Sequence, residues 1–287
     1  MRGRIIKGIG GFYYVSDSNG TVFECKARGR FRKDGLTPCV GDFVDFEPSG
    51  QGYAAIEKIL PRANRLVRPP VANVDQMLLV LSAGKPEVDF LLCDKLLIQA
   101  ERAGINPVIV INKSEMDEKC AAQIEKQYSF YDVLQVSAVT GQGIDGLKHS
   151  LHGKCVCLAG QSAVGKSSII NAICGAFGLE TGDLSRKTDR GKHTTRQAEL
   201  LYLKEEDAYL VDTPGFSMYD IDGISKTELA HFYPELQQYA AQCRFSSCIH
   251  DKEPGCAVKE ALLQGKISAE RYERYLKLLY LLGEKRQ

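Results

Sequence analysis

The spacing of apolar and polar residues changes twice along the chain, and each change marks a different kind of structure. Over residues 1–68, short runs rich in aromatic and β-branched residues are separated by turns of Gly, Asn, Asp and Ser. Such runs stand at 11–15, 21–27, 40–46 and 53–59. Short strands at this close spacing predict a small all-β unit, and a five-stranded OB-like β-barrel suits the length best.

After the Pro69-Pro70 pair, nearly unbroken apolar runs alternate with stretches of helical spacing. The runs predict strands buried in a mostly parallel sheet, at 74–81, 106–111, 133–136 and 155–159. Helices are predicted at 90–103, 119–128 and 168–173, and two further strands at 197–203 and 208–211. This alternation of strands and helices predicts an α/β domain over residues 69–222.

From residue 223 the spacing is helical, and helices are predicted over 226–242, interrupted by Pro234, and over 257–264 and 269–282. Ser268 is a suitable N-cap for the third of these, because its hydroxyl can accept from a free backbone N–H group. A loop containing Cys and His separates the first two. The chain of 287 residues is therefore expected to form three domains, with boundaries at 1–68, 69–222 and 223–287.

Composition favours a globular protein of the cytoplasm. The chain is 44% hydrophobic and 25% charged, which provides enough apolar surface for packed cores. No apolar run approaches the ~18 residues of a membrane span, and the first residues lack the apolar segment of a secretion signal. The ten cysteines are scattered, several of them inside apolar runs, where a cysteine usually acts as a small buried hydrophobe. We therefore expect reduced thiols and a cytoplasmic location.

Charge is distributed unevenly, although the formal net charge is only +1. Residues 1–68 hold 12 Lys and Arg against 7 Asp and Glu, whereas residues 69–222 hold 15 against 21. Residues 223–287 hold 10 against 8. A basic first domain beside an acidic second one suggests contact with nucleic acid through the first domain.

The most basic loop of that first domain spans residues 28–33 and lies between two predicted strands. It surrounds one aromatic residue, Phe31, with four cations: Arg28, Arg30, Arg32 and Lys33. Cations and an aromatic ring together can contact the phosphates and bases of a nucleic acid. The alternative interpretation is an ordinary solvated loop, since runs of charge usually face water.

Residues 160–167 read Gly-Gln-Ser-Ala-Val-Gly-Lys-Ser and fit the phosphate-loop pattern G-x-x-x-x-G-K-[ST] at every fixed position. A predicted strand precedes them and a helix follows, as this pattern requires. Gly160 and Gly165 let backbone N–H groups wrap closely around a phosphate. Lys166 can reach the β and γ phosphates, and Ser167 offers a hydroxyl to Mg²⁺. The predicted nucleotide-binding residues of this segment are Gly160, Gln161, Ser162, Ala163, Val164, Gly165, Lys166, Ser167 and Ser168.

A second segment is expected to share the Mg²⁺ ion. Residues 212–215, Asp-Thr-Pro-Gly, follow an apolar strand. There Asp212 can hold the coordination shell of the Mg²⁺ ion, and the Gly215 N–H can contact the γ-phosphate. The next residue is Phe216, where Ras-type GTPases carry a glutamine that orients the attacking water. Hydrolysis therefore needs another group to orient the attacking water.

Residues 192–195, Lys-His-Thr-Thr, are the candidate source of that group. They lie between the phosphate-loop helix and the Asp212 strand, where a switch threonine should ligate Mg²⁺, and Thr194 or Thr195 can serve. His193 is the candidate catalytic residue, since a neutral imidazole near the γ-phosphate can orient water. The alternative is a solvated loop histidine with no role in catalysis.

Two short motifs at strand ends predict recognition of guanine. Residues 112–115, Asn-Lys-Ser-Glu, resemble the Asn-Lys-x-Asp motif of GTPases, whose amide reads the purine edge, whose Lys stem packs on the ring, and whose carboxylate accepts from the ring. Glu115 stands where Asp is usual, and Asp117 is a nearby alternative. Residues 137–138, Ser-Ala, resemble the backbone contact to the guanine carbonyl. The predicted guanine-reading residues are Asn112, Lys113, Glu115, Ser137 and Ala138.

A metal site is predicted in the last domain. Cys243, Cys248, His250 and Cys256 place four zinc-type ligands within fourteen residues. A tetrahedral Cys₃His set is typical of structural zinc, which is closed to substrate. A small helical unit also gains stability from such a staple. The alternative is four unrelated residues, because the spacing is not a common zinc template, and a disulfide is disfavoured in the cytoplasm.

The order of the motifs is unusual, because the guanine-reading pair precedes the phosphate loop along the chain. In most GTPases the phosphate loop comes first. The chain therefore resembles a circularly permuted GTPase, an arrangement that leaves the site intact when the old termini lie close together. The barrel, the permuted motifs and the Cys₃His segment together resemble the ribosome small-subunit-dependent GTPases of the RsgA type, over nearly the full chain.

This resemblance implies a multidomain fold: an OB-like barrel, a circularly permuted P-loop GTPase domain and a C-terminal helical zinc-binding domain. It also implies a bacterial cytoplasmic GTPase that binds the small (30S) ribosomal subunit late in its assembly and contacts its rRNA through the barrel. GTP, GDP, Mg²⁺ and one structural Zn²⁺ are the implied ligands, and we expect a monomer. The open alternatives are a P-loop ATPase or kinase, and an RNA-binding module whose nucleotide site is only structural.

Overall fold

The computed structural model describes residues 1–29, 31, 35–48, 52–66, 70–178, 198–212, 221 and 223–284, the side chains of 175–178, 212 and 283–284 excepted. Its first five strands form a barrel, in the order β1-β2-β3-β5-β4, and an additional pairing of β1 with β4 closes it. The strands are β1 (Arg2–Ile9), β2 (Phe12–Asp17), β3 (Val22–Ala27), β4 (Phe43–Pro48) and β5 (Ala54–Ile59). The predicted OB-like barrel is confirmed.

Strand β1 lies outside the predicted apolar runs, and Arg4 explains why. Its guanidinium is buried, 5.0 Å from the ring centroids of both Phe43 and Tyr209, and it donates to the Asn73 carbonyl oxygen at 2.7 Å. A buried cation on the face opposite Ile5 breaks the apolar alternation by which a strand is recognised. Cation–π contacts and a hydrogen bond compensate its burial.

The second unit is a sheet of strands in the order β10-β9-β8-β11-β13-β12, whose first four pairings are parallel and whose last is antiparallel. Every residue of β8 and β11 is buried, as their unbroken apolar sequence predicts. The strands are β8 (Gln76–Ser82), β9 (Asn106–Asn112), β10 (Asp132–Gln135), β11 (Cys155–Ala159), β12 (Glu199–Leu203) and β13 (Ala208–Asp212). A short ribbon of β6 (Arg65–Leu66) and β7 (Val71–Ala72) precedes the sheet.

Helices cover both faces of this sheet. They are α1 (Phe90–Ala103), α2 (Glu118–Gln127), α3 (Ile144–Leu151) and α4 (Lys166–Gly178). Helices α1 and α2 contribute to one buried apolar cluster, and α3 and α4 to a second one. Helix α3 was not predicted: it has only eight residues, and Gly146 and polar residues interrupt its apolar spacing.

The barrel and the α/β sheet are continuous. Strand β12 pairs antiparallel with β1, and the register places Lys7 opposite Glu199. Their side chains form an ion pair, with 2.9 Å between Lys7 Nζ and Glu199 Oε1. The two units thus form a single sheet of 11 strands, so the barrel is joined through backbone hydrogen bonds to the nucleotide-binding part of the fold.

The last part of the described chain is helical, with α5 (Lys226–Leu229), a 3₁₀ turn (Ala230–Phe232), α6 (Pro234–Ala240), α7 (Ala257–Leu263) and α8 (Ala269–Glu284). The helix predicted over 226–242 is interrupted at Pro234 as expected, and the part before Pro234 is further divided into α5 and the 3₁₀ turn. Pro234 begins α6, where a missing N–H costs nothing. Ser268 Oγ accepts from Arg271 N at 3.3 Å, in agreement with the predicted N-cap. Within the described ranges, no helix is long and apolar enough to cross a bilayer.

A buried charge cluster joins the helical part to the α/β sheet. Asp94 on α1 accepts from Arg271 Nη1 at 2.7 Å and from Arg274 Nε at 2.5 Å, both on α8. Tyr128 OH donates to the same carboxylate at 3.0 Å, and Arg271 also pairs with Glu235. Because these charged side chains are buried away from water, their ion-pair partners must offset the cost of losing hydration.

The cysteines of the apolar runs behave mainly as core residues. Cys93, Cys155 and Cys157 are buried, and Cys174 is partly buried. Burial raises the pKa of the Cys155 thiol to about 11, so the thiol stays protonated at neutral pH. This agrees with the interpretation of these cysteines as small hydrophobes.

Candidate nucleotide site and metal centre

The phosphate loop occupies the carboxyl end of β11, with α4 beginning at Lys166. Gly160 and Gly165 have φ values of 129° and 99°, a region that favours glycine. A Cβ at Gly160 would overlap the Val80 carbonyl oxygen, and one at Gly165 would overlap the Asn112 side chain. Both glycines are therefore required by the packing of the loop against β8 and β9 as well as by its curvature.

Lys166 folds back on this loop. Its Nζ donates to the carbonyl oxygens of Gly160 at 2.8 Å and Gln161 at 2.5 Å. Burial lowers the pKa of Lys166, and the negative charge of a bound phosphate would oppose that shift. The ammonium thus lies at the loop whose amides are suited to bind phosphates.

Asn112 connects the three motifs that the sequence keeps apart. It is the last residue of β9 and is 2% exposed. Its Nδ2 donates to the Val164 carbonyl oxygen of the phosphate loop at 2.9 Å, and its Oδ1 accepts from Ala138 N at 3.2 Å. An amide has a second N–H and a second lone pair, so it retains capacity for a ligand. The predicted guanine-reading and phosphate-binding residues therefore lie at one edge of the sheet.

Lys113 lies beside the same loop, with a positive φ of 60°. Its Nζ donates to the carbonyl oxygens of Lys85 at 2.5 Å and Ala163 at 3.1 Å, so the aliphatic stem is held next to residues 160–165. Ser137 is buried, and its Oγ accepts from Thr140 N at 3.0 Å, which shapes the turn carrying Ala138. These bonds hold the stem and the turn in place before any ligand binds.

The two candidate carboxylates differ in their surroundings. Asp117 is the N-cap of α2, and its Oδ1 accepts from Cys120 N at 2.9 Å. Glu115 is exposed in the loop between β9 and α2. The capping bond gives one oxygen of Asp117 a structural role.

One contact of the phosphate loop was not predicted. Gln161 Oε1 accepts from Asp89 N at 2.9 Å, and the Asp89 side chain caps α1 by accepting from Leu92 N at 3.0 Å. The phosphate loop is thereby fastened to the start of α1. The sequence carries no signal for this bond, because the two residues are 72 positions apart.

The four predicted zinc ligands come together. Their ligand atoms all lie within 4.8 Å of one another. His250 Nδ1 is 3.6 Å from Cys243 Sγ and 3.5 Å from Cys256 Sγ, and these two sulfurs are 3.9 Å apart. A tetrahedral zinc with Zn–S of about 2.3 Å and Zn–N of about 2.0–2.1 Å requires roughly 3.5 Å between S and N and roughly 3.8 Å between sulfurs. The donor set therefore fits a zinc ion.

Helix α8 holds the ligand loop in shape. Tyr272 OH donates to the His250 carbonyl oxygen at 2.5 Å, and Tyr275 OH donates to the Ile249 carbonyl oxygen at 2.6 Å. The Glu253 carboxylate accepts from Ile249 N at 3.0 Å and from Asp251 N at 2.9 Å. Burial lowers the pKa of His250, which favours the neutral imidazole that binds a metal. None of these supporting residues was singled out from the sequence.

Two parts of the sequence match models of known protein families. The sequence matches the family model described as RsgA GTPase over residues 59–222 and that of the RsgA N-terminal domain over residues 2–56. The chain belongs to the RsgA GTPase family. It is therefore a GTP hydrolase, and the family implies GTP, GDP and Mg²⁺ as its ligands.

Curated relatives and solved structures match this chain over nearly its whole length. Two proteins named Small ribosomal subunit biogenesis GTPase RsgA are similar, one from Ruminiclostridium cellulolyticum (47% identity, 98% of this chain and 94% of that one) and one from Caldanaerobacter subterraneus subsp. tengcongensis (45%, 99% and 97%). The crystal structure of YjeQ from Thermotoga maritima matches with a TM-score of 0.86 (39% identity, 98% of both chains). YloQ, described as a circularly permuted GTPase, matches with a TM-score of 0.84 (33% identity, 99% and 95%). The permuted order of motifs is thus confirmed.

Several predicted residues lie outside the described part of the chain. They are the candidate catalytic His193, the candidate Mg²⁺ ligands Thr194 and Thr195, Gly215, Phe216, and the cations Arg30, Arg32 and Lys33. The backbone of Asp212 is described and ends β13, which runs parallel to the phosphate-loop strand β11. The carboxyl ends of parallel neighbours share one edge, so Asp212 lies on the phosphate-loop side of the sheet.

The interpretation of Phe31 as a base-contacting ring is wrong. This ring is 6% exposed and belongs to the apolar cluster of the barrel. Phe31 is the aromatic residue of the otherwise charged and glycine-containing stretch 28–33, and burial of its ring removes apolar surface from water. Arg28 of the same loop keeps a 54% exposed side chain while pairing with Glu57.

Proposed function

We propose that this chain is a ribosome-biogenesis GTPase of the cytoplasm that binds the small (30S) ribosomal subunit and acts late in its maturation. It hydrolyses GTP to GDP, docking on the subunit stimulates turnover, and the barrel contacts rRNA. The division into domains at 1–68, 69–222 and 223–287 and a monomeric state are part of the same proposal.

One observation carries this proposal: the basic barrel is hydrogen-bonded, through β1 and β12, to the sheet that holds the nucleotide loops. Strand β12 begins at Glu199, shortly after the predicted switch threonines in the chain. Binding at the barrel therefore has a short physical route to the residues proposed to act in hydrolysis. The names of the relatives support the small subunit as the partner.

Guanine recognition is assigned to the β9 edge. The Asn112 amide and the Ala138 N–H contact the purine edge and carbonyl, the Lys113 stem packs on the ring, and Glu115 accepts from the ring N–H and amine. The contact between Asn112 and the phosphate loop supports this assignment, since it brings base and phosphates within reach of one nucleotide. The capping role of Asp117 favours Glu115 as the acceptor.

Phosphate binding and catalysis are assigned to the loop edge. Backbone N–H groups of residues 160–168 and the Lys166 ammonium bind the β and γ phosphates. Ser167, Asp212 and either Thr194 or Thr195 would hold the Mg²⁺ ion, which would neutralise negative charge on the phosphates. Since Phe216 cannot orient water, His193 takes this role when the small subunit is bound.

The Cys₃His cluster of Cys243, Cys248, His250 and Cys256 is assigned to one structural zinc ion. Its fit to tetrahedral distances and its distance in sequence from the phosphate loop support a structural role. The ion would hold the loop that α8 already contacts through Tyr272 and Tyr275.

The test is release of inorganic phosphate from GTP by the full chain, alone and with purified small subunits, at low and at physiological salt. We expect slow turnover alone, a marked rise with small subunits, and a loss of that rise as salt increases. Equal turnover with ATP would favour the ATPase alternative. Binding of subunits without any change in turnover would favour an RNA-binding module.

A further inference from the structure

The barrel carries a cation between two aromatic rings on its outer face. The rings of Phe12 and Tyr53 meet edge to face, with centroids 6.3 Å apart and planes at 84°. Lys26 Nζ lies 4.5 Å from the Phe12 centroid and 4.3 Å from the Tyr53 centroid. We call these three residues the Phe12–Lys26–Tyr53 cluster.

Strand pairing creates the cluster and sets the face on which it lies. Phe12 on β2 is directly opposite Lys26 on β3. Tyr53 immediately precedes β5, the strand that pairs with the other side of β3. The neighbouring Cys25 and Ala54 are buried in the barrel, so alternation turns Lys26 and Tyr53 outward. All three members of the cluster are partly exposed.

This location is informative because OB-like barrels bind oligonucleotides on the face of their second and third strands and on adjoining loops. The domain around the cluster is basic, with 12 Lys and Arg against 7 Asp and Glu over residues 1–68. Arg28, two positions beyond Lys26, retains a half-exposed guanidinium. The cluster therefore combines π-faces with positive charge, the two components of a site for single-stranded nucleic acid.

We propose that the Phe12–Lys26–Tyr53 cluster is a binding site for an unpaired RNA base. The base stacks on one of the two rings, and Lys26 leaves the rings to pair with an adjacent phosphate. Its flexible four-carbon stem permits that movement, and a phosphate is a stronger partner for an ammonium than a ring face. The proposal rests on the proposed rRNA contact and supplies the stacking ring that Phe31, buried in the core, does not provide.

The test measures the affinity of the full chain for two labelled RNAs of about 12 nucleotides, from the fluorescence anisotropy of the RNA. One is an unstructured RNA of mixed sequence, and the other is its abasic counterpart with the same phosphates. We expect Phe12→Leu and Tyr53→Leu to weaken binding of the first RNA by roughly 5- to 150-fold and to leave the second unchanged. Tyr53→Phe, which keeps the ring, should bind both as the parent does.

Lys26→Gln should weaken binding of both RNAs and reduce the slope of log affinity against log salt by about 0.7, since one phosphate contact is lost. Tyr202→Leu is the matched control. Tyr202 is half exposed and its ring centroid lies 5.1 Å from that of Tyr209, but its hydroxyl donates to Asp207, and the cation at this pair, Arg4, is buried against Tyr209. It should leave both affinities unchanged.

Unchanged affinity for the base-containing RNA in a Tyr53→Leu protein with the parent melting temperature overturns the site. Equal losses for both RNAs in the Leu variants, or no binding of the first RNA by the parent at low salt, overturn it as well. Stimulation of GTP hydrolysis by small subunits is measured in parallel. Stimulation that persists in these cases leaves the proposed function standing, whereas its absence in the parent removes the proposed function itself.

Discussion

Asp94 and Arg271 form a buried ion pair between α1 and α8, with 2.7 Å between Asp94 Oδ1 and Arg271 Nη1. Arg274 uses the other carboxylate oxygen, so one aspartate neutralises part of two guanidinium groups. The side chains are 0%, 3% and 10% exposed, respectively. The helical C-terminal part is therefore attached to the α/β sheet by a contact in which every charge needs its partner.

Asp94→Asn is predicted to destabilise the protein by about 3–5 kcal/mol, because it removes the counter-ion of Arg274 and leaves Arg271 with Glu235 alone. The free energy of unfolding in urea, at fixed GDP and zinc, is the measurement. The control is Asp45→Asn, which removes the exposed ion pair with Arg2 and should cost less than about 1 kcal/mol. A similar small cost for Asp94→Asn would mean that the cluster contributes little to stability.

Lys166→Ala and Ser167→Ala are predicted to reduce GTP turnover by about 100-fold or more while the fold persists. The first removes the ammonium that contacts the phosphates, and the second removes a predicted ligand of Mg²⁺. Phosphate release is measured under saturating GTP, and circular dichroism checks the fold. Turnover at the parent rate in either variant would show that the phosphate site has been assigned to the wrong residues.

Glu115→Ala and Asp117→Ala are predicted to have opposite effects. The first should weaken GDP binding at least roughly tenfold with little change in melting temperature, because a charged hydrogen bond to the base is lost. The second should lower stability by about 1 kcal/mol through loss of the α2 cap and leave GDP binding nearly unchanged. Calorimetric titration and thermal unfolding measure the two effects, and the reverse pattern would assign guanine recognition to Asp117.

Removal of zinc is predicted to disorder the C-terminal part, because binding of a structural metal is coupled to folding. Metal analysis should find one zinc per chain in the parent and none in Cys248→Ala, whose melting temperature should be lower. Cys120→Ala is the control, since this partly buried cysteine lies outside the cluster and should keep the metal. Purified parent protein without zinc would contradict the assignment.

His193→Ala is predicted to remove most of the stimulation by small subunits while GTP binding is unchanged, because the side chain acts on water rather than on the nucleotide. Single-turnover hydrolysis with and without small subunits separates the effect on stimulated hydrolysis from the effect on GTP binding. His152→Ala, which changes an exposed histidine after α3, should behave as the parent. An ordinary stimulated rate in His193→Ala would assign the catalytic group elsewhere, most reasonably to the ribosome.

Sequence by itself determined the features that depend on neighbours along the chain. The phosphate loop is such a feature, because its glycines, lysine and serine act through the local backbone. Helix α1 was predicted with its observed bounds, since apolar spacing is a local signal. The Cys₃His set was also recognisable, because its four ligands lie within fourteen residues of one another.

Only the tertiary structure decided the features that join distant residues. Asp94 and Arg271 are 177 positions apart, and Lys7 and Glu199 are 192 apart. Arg4 can be buried because rings from two different units enclose it, and Phe31 is buried because its ring packs in the apolar cluster of the barrel. Local spacing contains no information about such partners, because burial and pairing are set by which strands close the sheet.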